Sequence, residues 1–200
     1  MQRFRAATAV FLMAVAGMAA QDPLVTLPEA YRLQFENDVV KVVRVEYAGG
    51  AKLPDHTHPA GTTVYVYLND SEGVVFAHSG NINRSVTRPP VKAGAVRVSS
   101  GPEEHHTAEN RSTEASRFLR IWFKGDTSGA RNVRARLSPT DNEFSNKQLR
   151  ITRLKGGETV DATDAPALIV KVPSGDTEWV ARGQRATFDG SGLRVDVLSR

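Results

Sequence analysis

The stretch GAKLPDHTHPAGTTVYVYLND, residues 50–70, decides how this chain is read. Its second half, TTVYVYL at 62–68, is a β-branched and aromatic run closed by the turn-forming Asn69-Asp70-Ser71-Glu72-Gly73. Its first half sets His56 and His58 two residues apart. Alternate residues of a strand point to one face, so both imidazoles can be offered to the same interior point. Working outward, a β-branched run at 39–47 ends at Gly49-Gly50, and further short apolar runs follow at 74–76, 95–98 and 118–123 (FLRIWF), each flanked by Gly, Pro or Asn/Asp/Ser clusters. Beyond the first twenty residues no segment carries ten residues of helical periodicity, and the one place for a helical turn is near Pro28–Tyr31. Many short strands at this spacing predict an all-β sandwich or barrel.

Four of the five histidines fall into two tight groups, His56/His58 and His105-His106. A barrel brings segments distant in sequence to one lumen, so the second group can join the first. Imidazole suits Fe, Mn, Zn, Ni or Cu, and three histidines leave coordination positions open for water or a substrate. Neutral imidazole is required, so affinity is expected to fall below about pH 6.5. The chain has no Cys, which excludes disulfides, thiolate metal sites and cysteine nucleophiles.

Residues 50–70 resemble the first motif of the cupin superfamily, and GAVRVSSGPEEHHTAEN at 94–110 resembles the second. Together the paired motifs cover roughly residues 35–124. The resemblance implies a small antiparallel jelly-roll barrel with one divalent metal in its mouth, held by His56, His58 and either His106 or His105. The H-x3-N spacing to Asn110 favours His106; counting from Gly94 selects His105. The glutamate that the first motif expects is missing, and Thr62 and Thr63 stand in its place. Cupins similar in this respect, such as thiol dioxygenases, hold iron with three histidines and no carboxylate. The second motif also departs, reading Ser100-Gly101-Pro102 where P-x-G is expected.

The C-terminal part echoes the N-terminal one. Asn37 and the run to Gly49-Gly50 reappear as Asn146 and the run to Gly156-Gly157, Pro59 falls opposite Pro166, and VKAGA at 91–95 opposite VARGQ at 180–184. The positions matching His56 and His58 are Thr163 and Ala165, so a second, degenerate cupin-like unit at 146–200 is expected to lack an imidazole site. Residues 125–145, rich in Gly, Ser, Asn and Arg, are expected to be a linker or long loop between it and the first barrel at 29–124.

Composition bounds the rest. With 40% hydrophobic and 24% charged residues the chain is globular, and the net charge of +4 comes from 26 basic residues dispersed among 22 acidic ones. No dense basic block points to nucleic acid. Arg3 and Arg5 precede an apolar run at 6–20 that ends in Ala19-Ala20, the pattern of a cleaved signal peptide (residues 1–20); the run is shorter than a membrane span. A periplasmic or secreted protein is expected, with no membrane contact after cleavage.

Among other candidates, Thr63, Tyr65 and Tyr67 are expected to line a pocket in the barrel. Glu103 and Glu104 read as a solvated acidic loop or as partners orienting His106, and Asp55 as a turn residue or an orienter of His56. His78 reads as a surface loop residue, and Trp122 and Trp179 as core or inter-barrel packing. Three functions are consistent with these residues: a metal-dependent cupin acting on a small molecule, as oxygenase or isomerase; a metal-free barrel binding a small ligand or partner; and a structural homodimer joined through strand edges.

Overall fold

The computed structural model describes residues 22–80, 83–124 and 133–198; the expected signal peptide lies outside them. Two antiparallel β units follow each other. In the first, a six-stranded sheet has the order β1 (Tyr31–Glu36), β2 (Val40–Tyr47), β9 (Ser116–Phe123), β4 (Gly61–Tyr67), β7 (Val96–Gly101), β10 (Arg134–Leu137). It faces a four-stranded sheet ordered β3 (Lys52–His58), β8 (Glu104–Asn110), β5 (Val74–His78), β6 (Arg84–Thr87). Val45, Tyr47, Tyr65 and Phe118 of the large sheet meet Leu53, Phe76 and Ala108 of the small one inside the barrel.

The second unit is shorter. Its main sheet has the order β11 (Glu143–Ser145), β12 (Leu149–Lys155), β17 (Ser191–Val197), β14 (Ala167–Lys171), β15 (Thr177–Val180), and β13 (Thr159–Asp161) pairs with β16 (Arg185–Thr187). This repeats β1-β2-β9-β4-β7 and β3-β8 strand for strand. Landmarks repeat too. The Asn37 side-chain oxygen accepts the backbone N–H groups of Val39 and Val40, as that of Asn146 accepts those of Gln148 and Leu149. Gly94 and Gly183 both hold a positive φ, near 80°, in matching turns, a conformation open to glycine at no steric cost.

The central strands of the six-stranded sheet are buried on both faces. Its inner face lines the barrel; its outer face (Val42, Val64, Val98, Leu119, Ile121) packs on Ile151, Leu168, Leu193 and Val195 of the second unit. That explains the nearly continuous apolar runs of β4 and β9, which a sheet wetted on one side would replace by alternation. Fully burying each such side chain contributes about 1.5–3 kcal/mol.

Residues 125–145 are not simply a linker. Residues 125–132 lie outside the described residues, but β10 extends the first sheet beside β7 and β11 opens the second beside β12. Both are short and polar because each is an edge strand. A four-residue helix, α1 (Pro23–Thr26), precedes the turn at 28–30; Asp22 caps it by accepting the Leu24 N–H, and Pro23 supplies a first-turn residue needing no donor. It is too short to show periodicity in sequence.

Candidate metal centre

The site is built on two paired strands. β3 and β8 run antiparallel with His56 opposite His106, and β3 is the sheet edge, where Pro54 costs no ladder bond. The register slips between Leu53 and His56, a bulge that re-aims the strand. His56, His58 and His106 then converge in the lumen, all three buried, with ring centroids 4.7–5.1 Å apart. One ring nitrogen from each lies within 4.8 Å of the others, so the group can hold a metal. His105 points the other way, half exposed and 3.2 Å from Glu103. In β8 the residues at 106, 108 and 110 face inward together, which is why the H-x3-N spacing selects His106.

The protonation of His56 follows from its neighbours. Its Nδ1 lies 2.8 Å from the Pro54 carbonyl, which can only accept, so Nδ1 carries the hydrogen and Nε2 the lone pair. The Tyr31 hydroxyl, 2.8 Å from Nε2, donates to it, and the Tyr47 hydroxyl, 2.6 Å from that of Tyr31, donates in turn. Pro54 thus does what Asp55 was considered for; the Asp55 carboxylate instead accepts from the Ser79 hydroxyl. Both ring nitrogens of His106 are buried with no hydrogen-bond partner, a costly state that metal coordination at one of them relieves.

Burial is the first cause of low basicity throughout. It pushes His56 down, it drives His58 well below the usual range with help from the Arg120 charge, and it lowers His106 to about 2. The rings are therefore held neutral, the form a metal needs, and protons compete only below the range expected of free imidazole. Burial raises both phenols, Tyr31 and Tyr47, so they stay protonated and act as donors.

No family model matches the sequence, and no curated protein was found similar to it. Solved structures do match. Escherichia coli YhaK aligns over 92% of this chain and all of its own, at 13% identity and a TM-score of 0.56. The E. coli pirin YhhW, solved in complex with nickel(II), aligns over 84% of this chain and 90% of its own, at 17% identity and a TM-score of 0.53. A cupin domain from Bordetella pertussis aligns over 55% of this chain and all of its own, at 20% identity and a TM-score of 0.40. The fold is that of the cupins.

Within the cupin barrel, Thr62 and Thr63 stand in place of the expected glutamate; both are buried, and Thr62 donates to the Gln148 side chain of the second unit. Tyr65 and Tyr67 line a small space beside Arg88 and Arg97 that no histidine of the triad lines, with the Arg97 guanidinium 4.0 Å above the Tyr65 ring. Glu104 sits half-buried at the start of β8. In the second unit, Thr163 bonds the Asp161 carboxylate and Ala165 is buried, so neither position offers an imidazole.

Two expectations are corrected. His78 is not a loop residue: it ends β5 opposite His106, half-buried, its ring 5.3 Å from that of His106. Trp122 is not inter-barrel packing; its Nε1 donates to the Ala60 carbonyl and its ring lines an open cleft, whereas Trp179 does stack at the junction of the units, on Phe35.

That cleft, about 320 Å³, leads to the triad past α1; Leu24, Val43 and Trp122 give it apolar walls, Asp22, Lys41 and Glu103 charged ones, and the buried Tyr31, His58 and Arg120 also line it. Sequence reasoning missed Tyr31, His78 and Arg120. For Arg120 a signal existed: a charge inside FLRIWF, a run otherwise apolar.

Proposed function

We propose that this is an exported cupin whose N-terminal barrel binds one divalent transition metal through His56, His58 and His106 and uses that centre on a small molecule entering by the cleft. The observation that carries it is the His106 ring, buried with both nitrogens unpaired beside two other neutral imidazoles. The nickel(II) held by the pirin YhhW supports a metal of this class, and the arginines and apolar run before Ala19-Ala20 support export. Such a centre would supply Lewis acidity or oxygen activation. The chain's own part is to keep the rings neutral, to fix the His56 tautomer through Pro54, and to line the cleft with the apolar Leu24, Val43 and Trp122 beside charged groups. Elemental analysis of the purified protein, with calorimetric titration of Ni(II), Fe(II) and Zn(II), tests this. One equivalent per chain is expected, and no stoichiometric metal overturns it.

A second reading rests on Tyr31. Its hydroxyl already satisfies the His56 lone pair, as suits a metal-free barrel that binds a small ligand.

A further inference from the structure

Arg120 is the second buried group near the triad without a partner. It lies on β9 between Phe118, inside the barrel, and Trp122, in the cleft wall, and it is only 7% exposed. Its Nε is buried and unbonded, and among the described residues the guanidinium has no hydrogen-bond, ion-pair or cation–π partner. The neighbouring Arg97 also has an unbonded Nε, but its charge rests on the Tyr65 ring. A guanidinium cannot shed its proton, so Arg120 carries a desolvated positive charge that no carboxylate of the described residues pairs with directly. The three side chains grouped beside it are imidazoles, which offer no negative charge, and threonines occupy the place of the glutamate. A divalent ion at the triad would add further positive charge.

We propose that Arg120 anchors the carboxylate of a small, otherwise apolar acid bound in the cleft beside the triad. The planar guanidinium matches a carboxylate through two parallel N–H···O bonds, and such pairing is strong away from water. Leu24, Val43 and Trp122 give the rest of the ligand an apolar wall, Asp22, Lys41 and Glu103 also line the cleft, and about 320 Å³ suits a small organic acid. The inference deepens the proposed function by naming the ligand class of the same barrel, but it does not need the metal to hold.

The test uses phenylacetate as probe and phenylacetamide as its neutral counterpart, with metal-free and Ni(II)-loaded protein. Calorimetry should find one phenylacetate site and at least about tenfold weaker binding of the amide, the scale of one charged hydrogen bond. The Arg120 Nε–H resonance should shift with phenylacetate and stay in place with the amide. Arg120→Met should bring phenylacetate down to the amide's affinity while Ni(II) binding is kept or tightened, because a repelling charge is gone. Should Arg120→Met fail to fold, the resonance shift in the unaltered protein and the partial loss expected of Arg120→Lys decide the matter. Equal binding of acid and amide, no binding of millimolar phenylacetate, or full affinity in Arg120→Met overturns the inference. Selective acid binding without Ni(II) uptake would sink the metal reading and leave this one standing; Ni(II) uptake without acid selectivity would do the reverse.

Discussion

The Tyr31 hydroxyl donates to the one nitrogen of His56 that can bind a metal, at 2.8 Å. A cation bonded there would lie about 2.1 Å from Nε2, in the space the phenol now fills. Ligation and this hydrogen bond are therefore alternatives, and Tyr31 competes with the metal for His56.

Tyr31→Phe removes the competitor at small cost in volume. Ni(II) should bind about 2–10 times more tightly, the equivalent of one hydrogen bond, as read by calorimetry. Weaker binding would show instead that the phenol oxygen is itself a ligand.

His58→Ala should lower metal affinity by more than about 100-fold, beyond the loss that follows removal of an outer-shell partner. The far-ultraviolet circular dichroism should keep its β signature. His105→Ala, on the outer side of β8, should leave the affinity within about twofold. A reversed pattern in metal titrations would move the site to the other ring.

Acid should destabilise the metal-free protein earlier than carboxylate titration would. His56, His58 and His106 have folded-state pKa values lowered by burial, whereas in the unfolded chain they protonate near 6.5. As pH falls through 6.5 the unfolded state takes up protons that the folded state refuses. Stability is thus lost by up to about 1.4 kcal/mol per pH unit for each ring. Denaturant melts at pH 7.0 and 5.5 measure this, and equal midpoints would mean that the rings are charged in the fold.

Asn110→Ala should cost about 2–4 kcal/mol of stability. The Asn110 amide donates to the carbonyls of Tyr47, Ala48 and Glu114, and its oxygen accepts the Ser112 N–H, tying the end of β2 to the turn after β8. Its loss leaves buried carbonyls unpaired. Thermal denaturation checks it, and a midpoint unchanged within error would remove Asn110 from the framework.

The all-β class was legible from short β-branched runs between turn clusters and the His56/His58 pair from period-two spacing, whereas the choice of His106 over His105 rested on the resemblance of residues 94–110 to the second cupin motif. Interior strands such as β4 were visible through their apolar runs. β8 was not, since its inward positions are His106, Ala108 and Asn110, which carry no hydrophobic signature. Tyr31, His78 and Arg120 reach the triad from β1, β5 and β9, and their meeting depends on strand order, which local pattern does not encode. Residues 133–145 looked like a loop because edge strands are poor in apolar residues, β10 reading RARL and β11 EFS.

The sheet sandwiched between the two units has a consequence for how this molecule could be cut. Severing the chain after β9 would uncover Val42, Val64, Leu119 and Ile121 together, a contiguous sticky plane of the kind solitary proteins rarely expose. The C-terminal unit, which carries no histidine, serves as the dry lid over that plane, so parting the two halves would wet it.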